Sequence, residues 1–174
     1  PCILTMEGGL HGPSSAYSGA KVKKRTQFSS PRGDLDVQEF MVINQASTFG
    51  ERLRIGTEIF HILGQILAKK YGKSAANFGL EGAFVPPLKE TKEALDLVMA
   101  AIKRAGCQKK VKIILDIAAS SFFRKGKYYF EKKILSREEL LNFYSELFQK
   151  YPIVGIEDPF AQDDWQGFRG LTQS

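Results

Sequence analysis

Residues 151–160 read YPIVGIEDPF, and the reading of this stretch decides the fold. Its apolar run, residues 153–156, stops at Glu157 and Asp158, and Pro159 has no N–H with which to continue a ladder. A short buried strand that delivers a carboxylate from its C-terminal end follows from that pattern. In parallel α/β folds ligands gather at the C-terminal ends of strands, so an acid there is a candidate site residue. A helix cap or a plain turn acid accounts for the same residues equally well. The pattern recurs upstream, where residues 111–115 form a second apolar run that ends at Asp116. Two buried strands that each end in an acid have the look of a divalent-metal site. Between them, Ser136 and Glu139 form a capping box, and the helix they open carries Leu140, Leu141, Tyr144, Leu147 and Phe148 as its apolar stripe. Strand, helix and strand make a βαβ unit, whose parallel strands put Asp116 and Glu157 on one rim.

Working outward, Phe49, Leu53, Gly56, Phe60, Leu63 and Leu67 fall at helical spacing and predict a helix with that face buried. Thr48 with Glu51 supplies another capping box, and Lys69, Lys70 and Gly72 a stop. His61 lies beside the apolar face and reads as structural. Residues 77–86 form a glycine-punctuated loop with a single acid, Glu81, between Gly79 and Gly82. Glycines there permit dihedrals that aim a carboxylate into a cavity, and a plain connection between helices explains them as well. A second helix runs over about 91–105, with Ala94, Leu95, Val98, Met99, Ile102 and Ala105 inward and Gly106 closing it. Lys125-Gly126-Lys127 marks a turn, and Asp163, Asp164, Trp165 and Phe168 open a further short helix. At the start, an apolar stretch precedes Glu7-Gly8-Gly9-Leu10-His11, residues 12–36 form a long loop, and residues 37–44 predict a strand.

The 174 residues, 43% hydrophobic and 25% charged, suffice for one domain with a real core. No apolar run approaches the roughly 18 residues of a spanning helix, and no export signal is expected from PCILTMEGG. Cys2 and Cys107 fit neither a disulfide framework nor a zinc site, which favours a reducing, cytoplasmic setting. Five of the excess positive charges, Lys21, Lys23, Lys24, Arg25 and Arg32, sit in one acid-free segment. Without regularly spaced aromatics beside them a solvated loop is expected, and nucleic acid is not the expected partner.

Four motifs in this order resemble the enolase family: QEFM at 38–41, NFGLEGAFVP at 77–86, DIAAS at 116–120 with FFRKGKY after it, and YPIVGIEDPF with QDDW at 151–165. The resemblance implies an α/β fold, an incomplete enolase-type TIM (β/α)8 barrel. Its first half would run ββαα and then βα units, with an antiparallel second strand. Residues 1–174 would be a partial C-terminal barrel domain with a basic loop insertion at about 12–36. That insertion resembles a divergent vertebrate branch of the family rather than its housekeeping members.

The implied chemistry is the glycolytic lyase reaction of phosphopyruvate hydratase, magnesium-dependent dehydration of 2-phosphoglycerate to phosphoenolpyruvate, in the full-length parent. Motif by motif, Asp116 and Glu157 match Mg2+ ligands, Glu81 the general acid with Glu39 assisting, and Gln38 and His11 the substrate pocket. Hard carboxylate oxygens suit magnesium, whose charge turns acids that would repel an anionic substrate into its anchors. Grouped carboxyls also raise one another's pKa, which a general acid needs at neutral pH. A small-molecule substrate and a homodimeric full-length protein are implied, with no membrane partner.

The departures from the family pattern are Glu7 before the two glycines, Leu80, Ala83 and Ser121, and Leu80 is expected to disturb Glu81 most. The insertion falls where the family has a mobile active-site loop, which bears on closure over substrate. The family's capping domain, third metal carboxylate, lysine base and phosphate-gripping residues are expected outside residues 1–174. The chain alone is therefore expected to show no turnover, and the unpaired edges of a half barrel point to a piece of a larger protein. Two other readings stay open: a catalytically lapsed enolase-like structural or assembly protein, and a basic-loop module for an anionic partner.

Overall fold

The computed structural model of the chain describes residues 1–9 and 35–173. His11 and most of the basic segment lie outside the described residues. Two strands, β1 (Cys2–Glu7) and β2 (Glu39–Asn44), come first, followed by helices α1 (Phe49–Tyr71) and α2 (Thr91–Arg104). Then come β3 (Val111–Asp116), β4 (Phe123–Arg124), β5 (Lys127–Phe130), β6 (Lys133–Leu135), α3 (Arg137–Lys150), β7 (Ile153–Glu157) and α4 (Trp165–Gln173). The order ββαα and then βα is the expected one. Among the described residues no helix is long and apolar enough to cross a membrane.

The main sheet has the order β1-β2-β3-β7; β2 runs antiparallel to both neighbours, and β7 runs parallel to β3. Its register places Glu7 opposite Glu39, Glu39 opposite Asp116, and Asp116 opposite Glu157. One rim of the sheet therefore carries an acid on every strand. Strand β1 reaches that rim through a bulge between Leu4 and Met6, where Thr5 is the surplus residue and its hydroxyl donates to the Phe40 carbonyl at 2.7 Å. Phe40, Val42, Val111, Ile113 and Leu115 join α1 and α2 side chains in one continuous core.

Helix α1 is rotated from its expected setting. Ile55, Ile59, Leu63 and Leu67 are buried, while Phe49 is 69% exposed and Leu53 faces solvent. The helix is apolar on two adjacent stripes, and close approach selects between them: a side chain at Gly56 would collide with Ile3, and one at Gly64 would lie 2.6 Å from the Phe84 ring. Thr48 accepts from the Glu51 amide at 3.2 Å, but the Glu51 carboxylate turns to Arg54, so only half of that capping box forms. The box opening α3 is complete. His61 is exposed, with its ring edge-on to Phe60 at 5.8 Å, rather than packed in the core.

Strands β4, β5 and β6 form a small second sheet that interrupts the βαβ unit. Its first turn, Lys125-Gly126, has both φ values positive (50 and 76°), as a two-residue hairpin of primed type requires. The second turn, Glu131-Lys132, also has positive φ (46 and 63°) without any glycine to advertise it. Strand β7 is half-buried rather than buried, with Val154 58% exposed, because it is the last strand of the sheet.

Candidate active site: carboxylates along one rim of the sheet

Each acid of the rim is held differently. Asp116, at the end of β3, is buried; its Oδ1 accepts from the Ala118 amide and its Oδ2 from Nε2 of Gln38, both at 3.0 Å. The Gln38 amide also donates to the Asp116 carbonyl at 3.0 Å, so Gln38 grips this residue at both its main chain and its side chain. Burial raises the Asp116 carboxyl above the ordinary range, and the negative charges of Glu157 and Asp158 push the same way. Glu157 is exposed at the end of β7, and its carbonyl accepts from Ile117 at 3.0 Å, which ties the two strand ends together. Both ends turn through left-handed backbone at non-glycine residues, Ala118 (φ 48°) and Asp158 (φ 45°), a strained geometry that recurs at functional sites.

Glu39 and Glu81 form the second pair. Their side chains share a hydrogen bond, and the Glu39 carboxyl is pushed up to about 7 by burial first and then by the charges of Glu81, Asp116 and Glu157. Glu81 comes from the loop at 77–86, which lies against β1 through a bridge between Met6 and Phe84. The Glu7 amide donates to the Phe84 carbonyl at 2.9 Å, and Phe84 in turn donates to Thr5 at 3.3 Å. Below the loop the rings of Phe60, Phe78 and Phe84 stack, with centroids 4.4 to 6.1 Å apart.

The two glycines of this loop act differently. Gly82 supplies a positive φ of 87°, while Gly79 supplies room, since a side chain there would collide with the Glu7 carboxylate. Leu80, expected to disturb Glu81, is 69% exposed.

The geometry thus brings Glu81, Glu39, Gln38, Asp116 and Glu157 to one rim, while His11 falls outside the described residues. Glu7, noted in the sequence only as a departure, is the acid on that rim whose position was missed. Its signal was the one used for the other strands, an apolar run that ends in an acid.

Asp116 and Glu157 are hard-oxygen donors on neighbouring strand ends and suit magnesium, which is commonly held by one or two carboxylates together with water and substrate phosphate. Among the described residues no group of three or more His, Cys, Asp or Glu is arranged to hold a metal, so these two carboxylates are a partial set. A separate cleft of about 700 Å3 lies between Ser120, Tyr128, Arg137, Asp164 and Trp165. There Asp164 accepts from Arg137 Nε and the Tyr128 hydroxyl, each at 2.6 Å, and from the Gly167 amide at 3.1 Å.

Fold and rim together define a class: a partial α/β barrel whose strand ends carry an acid cluster. The family described as "Enolase, C-terminal TIM barrel domain" matches residues 29–174. The chain is 49% identical over 141 residues to the enolase of Methanocaldococcus jannaschii, covering 80% of this chain and 33% of that protein. It is 48% identical to the enolase of Methanosarcina barkeri and 46% identical to that of Methanothrix thermoacetophila, again over 80% of this chain. The chain belongs to the enolase family, and its fold is an incomplete enolase-type barrel. It spans about a third of the length of these relatives.

Proposed function

We propose that the protein carrying this sequence is a magnesium-dependent phosphopyruvate hydratase that converts 2-phosphoglycerate to phosphoenolpyruvate in glycolysis. The observation that carries this reading is the hydrogen-bonded Glu39–Glu81 pair beside the Asp116–Glu157 pair. Dehydration removes a proton from C2 and expels the C3 hydroxyl as water. Glu81 acts as the acid that protonates the departing hydroxyl, and Glu39, poised at about 7, is the partner from which Glu81 regains its proton. Gln38 orients Asp116 and presents its polar face to the substrate, with His11 as a further pocket residue. Asp116 and Glu157 would hold Mg2+, whose charge offsets the build-up of negative charge on the substrate carboxylate. The C2 proton goes to the family's lysine base, which no motif within residues 1–174 matches.

On this reading residues 1–174 are a partial barrel domain with a basic insertion at about 12–36, and they show no turnover alone. The full-length protein is a cytoplasmic homodimer, a location in keeping with two unpaired cysteines. The test is production of phosphoenolpyruvate from 2-phosphoglycerate and magnesium by the full-length protein. Glu81→Gln should lower kcat by about 10²- to 10⁴-fold. An inert full-length protein would instead favour the lapsed, structural reading, which Leu80, Ser121 and the insertion motivate.

A further inference from the structure

Glu7 takes no part in the proposed reaction, and the family match begins only at residue 29. Yet it is the most enclosed acid of the rim, with 0% of its surface exposed, and it stands beside Glu39 in the strand register. A carboxylate is retained in such a place only where donors replace water. Here the donors are main-chain amides of the catalytic loop. Oε1 accepts from Ala83 at 2.7 Å and from Glu81 at 3.2 Å, and Oε2 lies 3.4 Å from the Glu81 amide. Within the loop the Gly79 amide donates to the Ala83 carbonyl at 2.9 Å, and the bonds from Glu7 add an anchor from outside it. Leu80 is exposed, and Gly82 holds a left-handed turn with open space around it. Gly79 leaves the room the Glu7 carboxylate occupies. The side chain that reaches across from β1 therefore grips the residue whose own carboxyl meets Glu39.

We propose that Glu7 is a positioning residue, which binds the Glu81 and Ala83 amides and so sets the reach of Glu81 toward Glu39. The proposal rests on the role given to Glu81 above. It predicts a defect in the chemical step rather than in substrate affinity, because Glu7 is fully buried and lies outside the substrate pocket proposed above. In the full-length protein, Glu7→Ala should lower kcat by about 100-fold, the scale of a misplacement near 1 Å, with KM nearly unchanged. Glu7→Gln keeps the Oε1 acceptor and should restore kcat to within a few-fold of the parent. Gly79→Ala leaves Glu7 chemically intact but displaces its carboxylate, and should reproduce the Glu7→Ala defect even if Glu7→Ala folds poorly.

Amide hydrogen exchange supplies the second readout. Exchange at Glu81 and Ala83 should accelerate at least about tenfold in Glu7→Ala and Gly79→Ala, with protection in β2 and β3 unchanged. Unchanged exchange at those two amides, unchanged kcat despite faster exchange, or a loss of protection spread through the whole sheet would each overturn the proposal. If the parent itself has no turnover, the functional reading fails separately. Crystal structures of Glu7→Gln and Gly79→Ala then decide the positioning claim: Glu81 must stay against Glu39 in the first and leave it in the second, and any other result overturns it.

Discussion

The acidic rim and the Asp164 corner use the same chemical group in opposite settings. Burial would raise the Asp164 carboxyl, but hydrogen bonds from Tyr128, Gly167 and Arg137 outweigh it and hold the group below its ordinary range. On the rim, Glu39 and Asp116 are raised, because burial there is reinforced by neighbouring acids. At the Asp164 corner the acid's demand for positive charge is met within the chain, by a guanidinium at 2.6 Å. Along the rim, the groups found to act on Glu39 are other acids. An acid paired with a cation inside the chain stabilises the fold, whereas acids set against one another at strand ends are the pattern that marks a candidate ligand site.

The largest expected difference is in stability. Asp164→Ala strips the acceptor from the buried Tyr128 hydroxyl and the carboxylate from Arg137 and should cost about 3 kcal/mol by chemical denaturation. A cost below that of an ordinary surface change would erase the distinction between the two regions. Next, Gly64→Ala drives a methyl toward the Phe84 ring beneath the Glu81 loop and should cost about 2 kcal/mol. It should also accelerate amide exchange in residues 77–86, whereas Asp164→Ala leaves that loop protected.

Smaller effects probe the rim itself. Magnesium should raise the melting temperature by about 2 °C in the parent and not in Asp116→Asn, with reversal by a chelator. Glu39→Gln keeps a donor toward Glu81 while removing a charge. Because Glu39 is partly open to solvent it should add only about 0.5 kcal/mol at pH 8. The smallest effect is the pH slope. With Glu39 at about 7 when folded against an ordinary 4.5, the native state binds more protons than the unfolded one across that window, so this group's contribution falls as pH rises from about 4.5 to 7. Denaturation midpoints at pH 5 and 7.5 should converge in Glu39→Gln, apart from the slope left by Asp36, which is raised to about 6.

Much of this was legible because strand ends are marked locally. Two apolar runs that stop at an acid gave Asp116 and Glu157, and a βαβ unit was enough to put them side by side. The third such run, ending in Glu7, carries the same local mark, but no βαβ unit follows it to show which strand end lies beside it. The buried face of α1 was misread for a different reason. Two neighbouring stripes both satisfy the helical period, and the choice depends on Ile3 and Phe84, which are distant in sequence. Strand β6 was missed because Glu131-Lys132 adopts a turn geometry that glycine or asparagine normally announces. Asp164 read as the start of a helix, and nothing local to it points to Arg137 or Tyr128.

The bulge in β1 fixes the phase of that strand as well as its shape. With Thr5 as the surplus residue, Met6 and Glu7 fall one step later than simple alternation from Cys2 would put them. Without the surplus Thr5 the pairing would run unbroken from Cys2–Ile43 to Glu7–Glu39, so the bulge leaves Glu7 beside Glu39 and adds a residue whose hydroxyl reaches the Phe40 carbonyl. The strand thus absorbs one extra residue locally and keeps its acid on the same side of the sheet as Glu39.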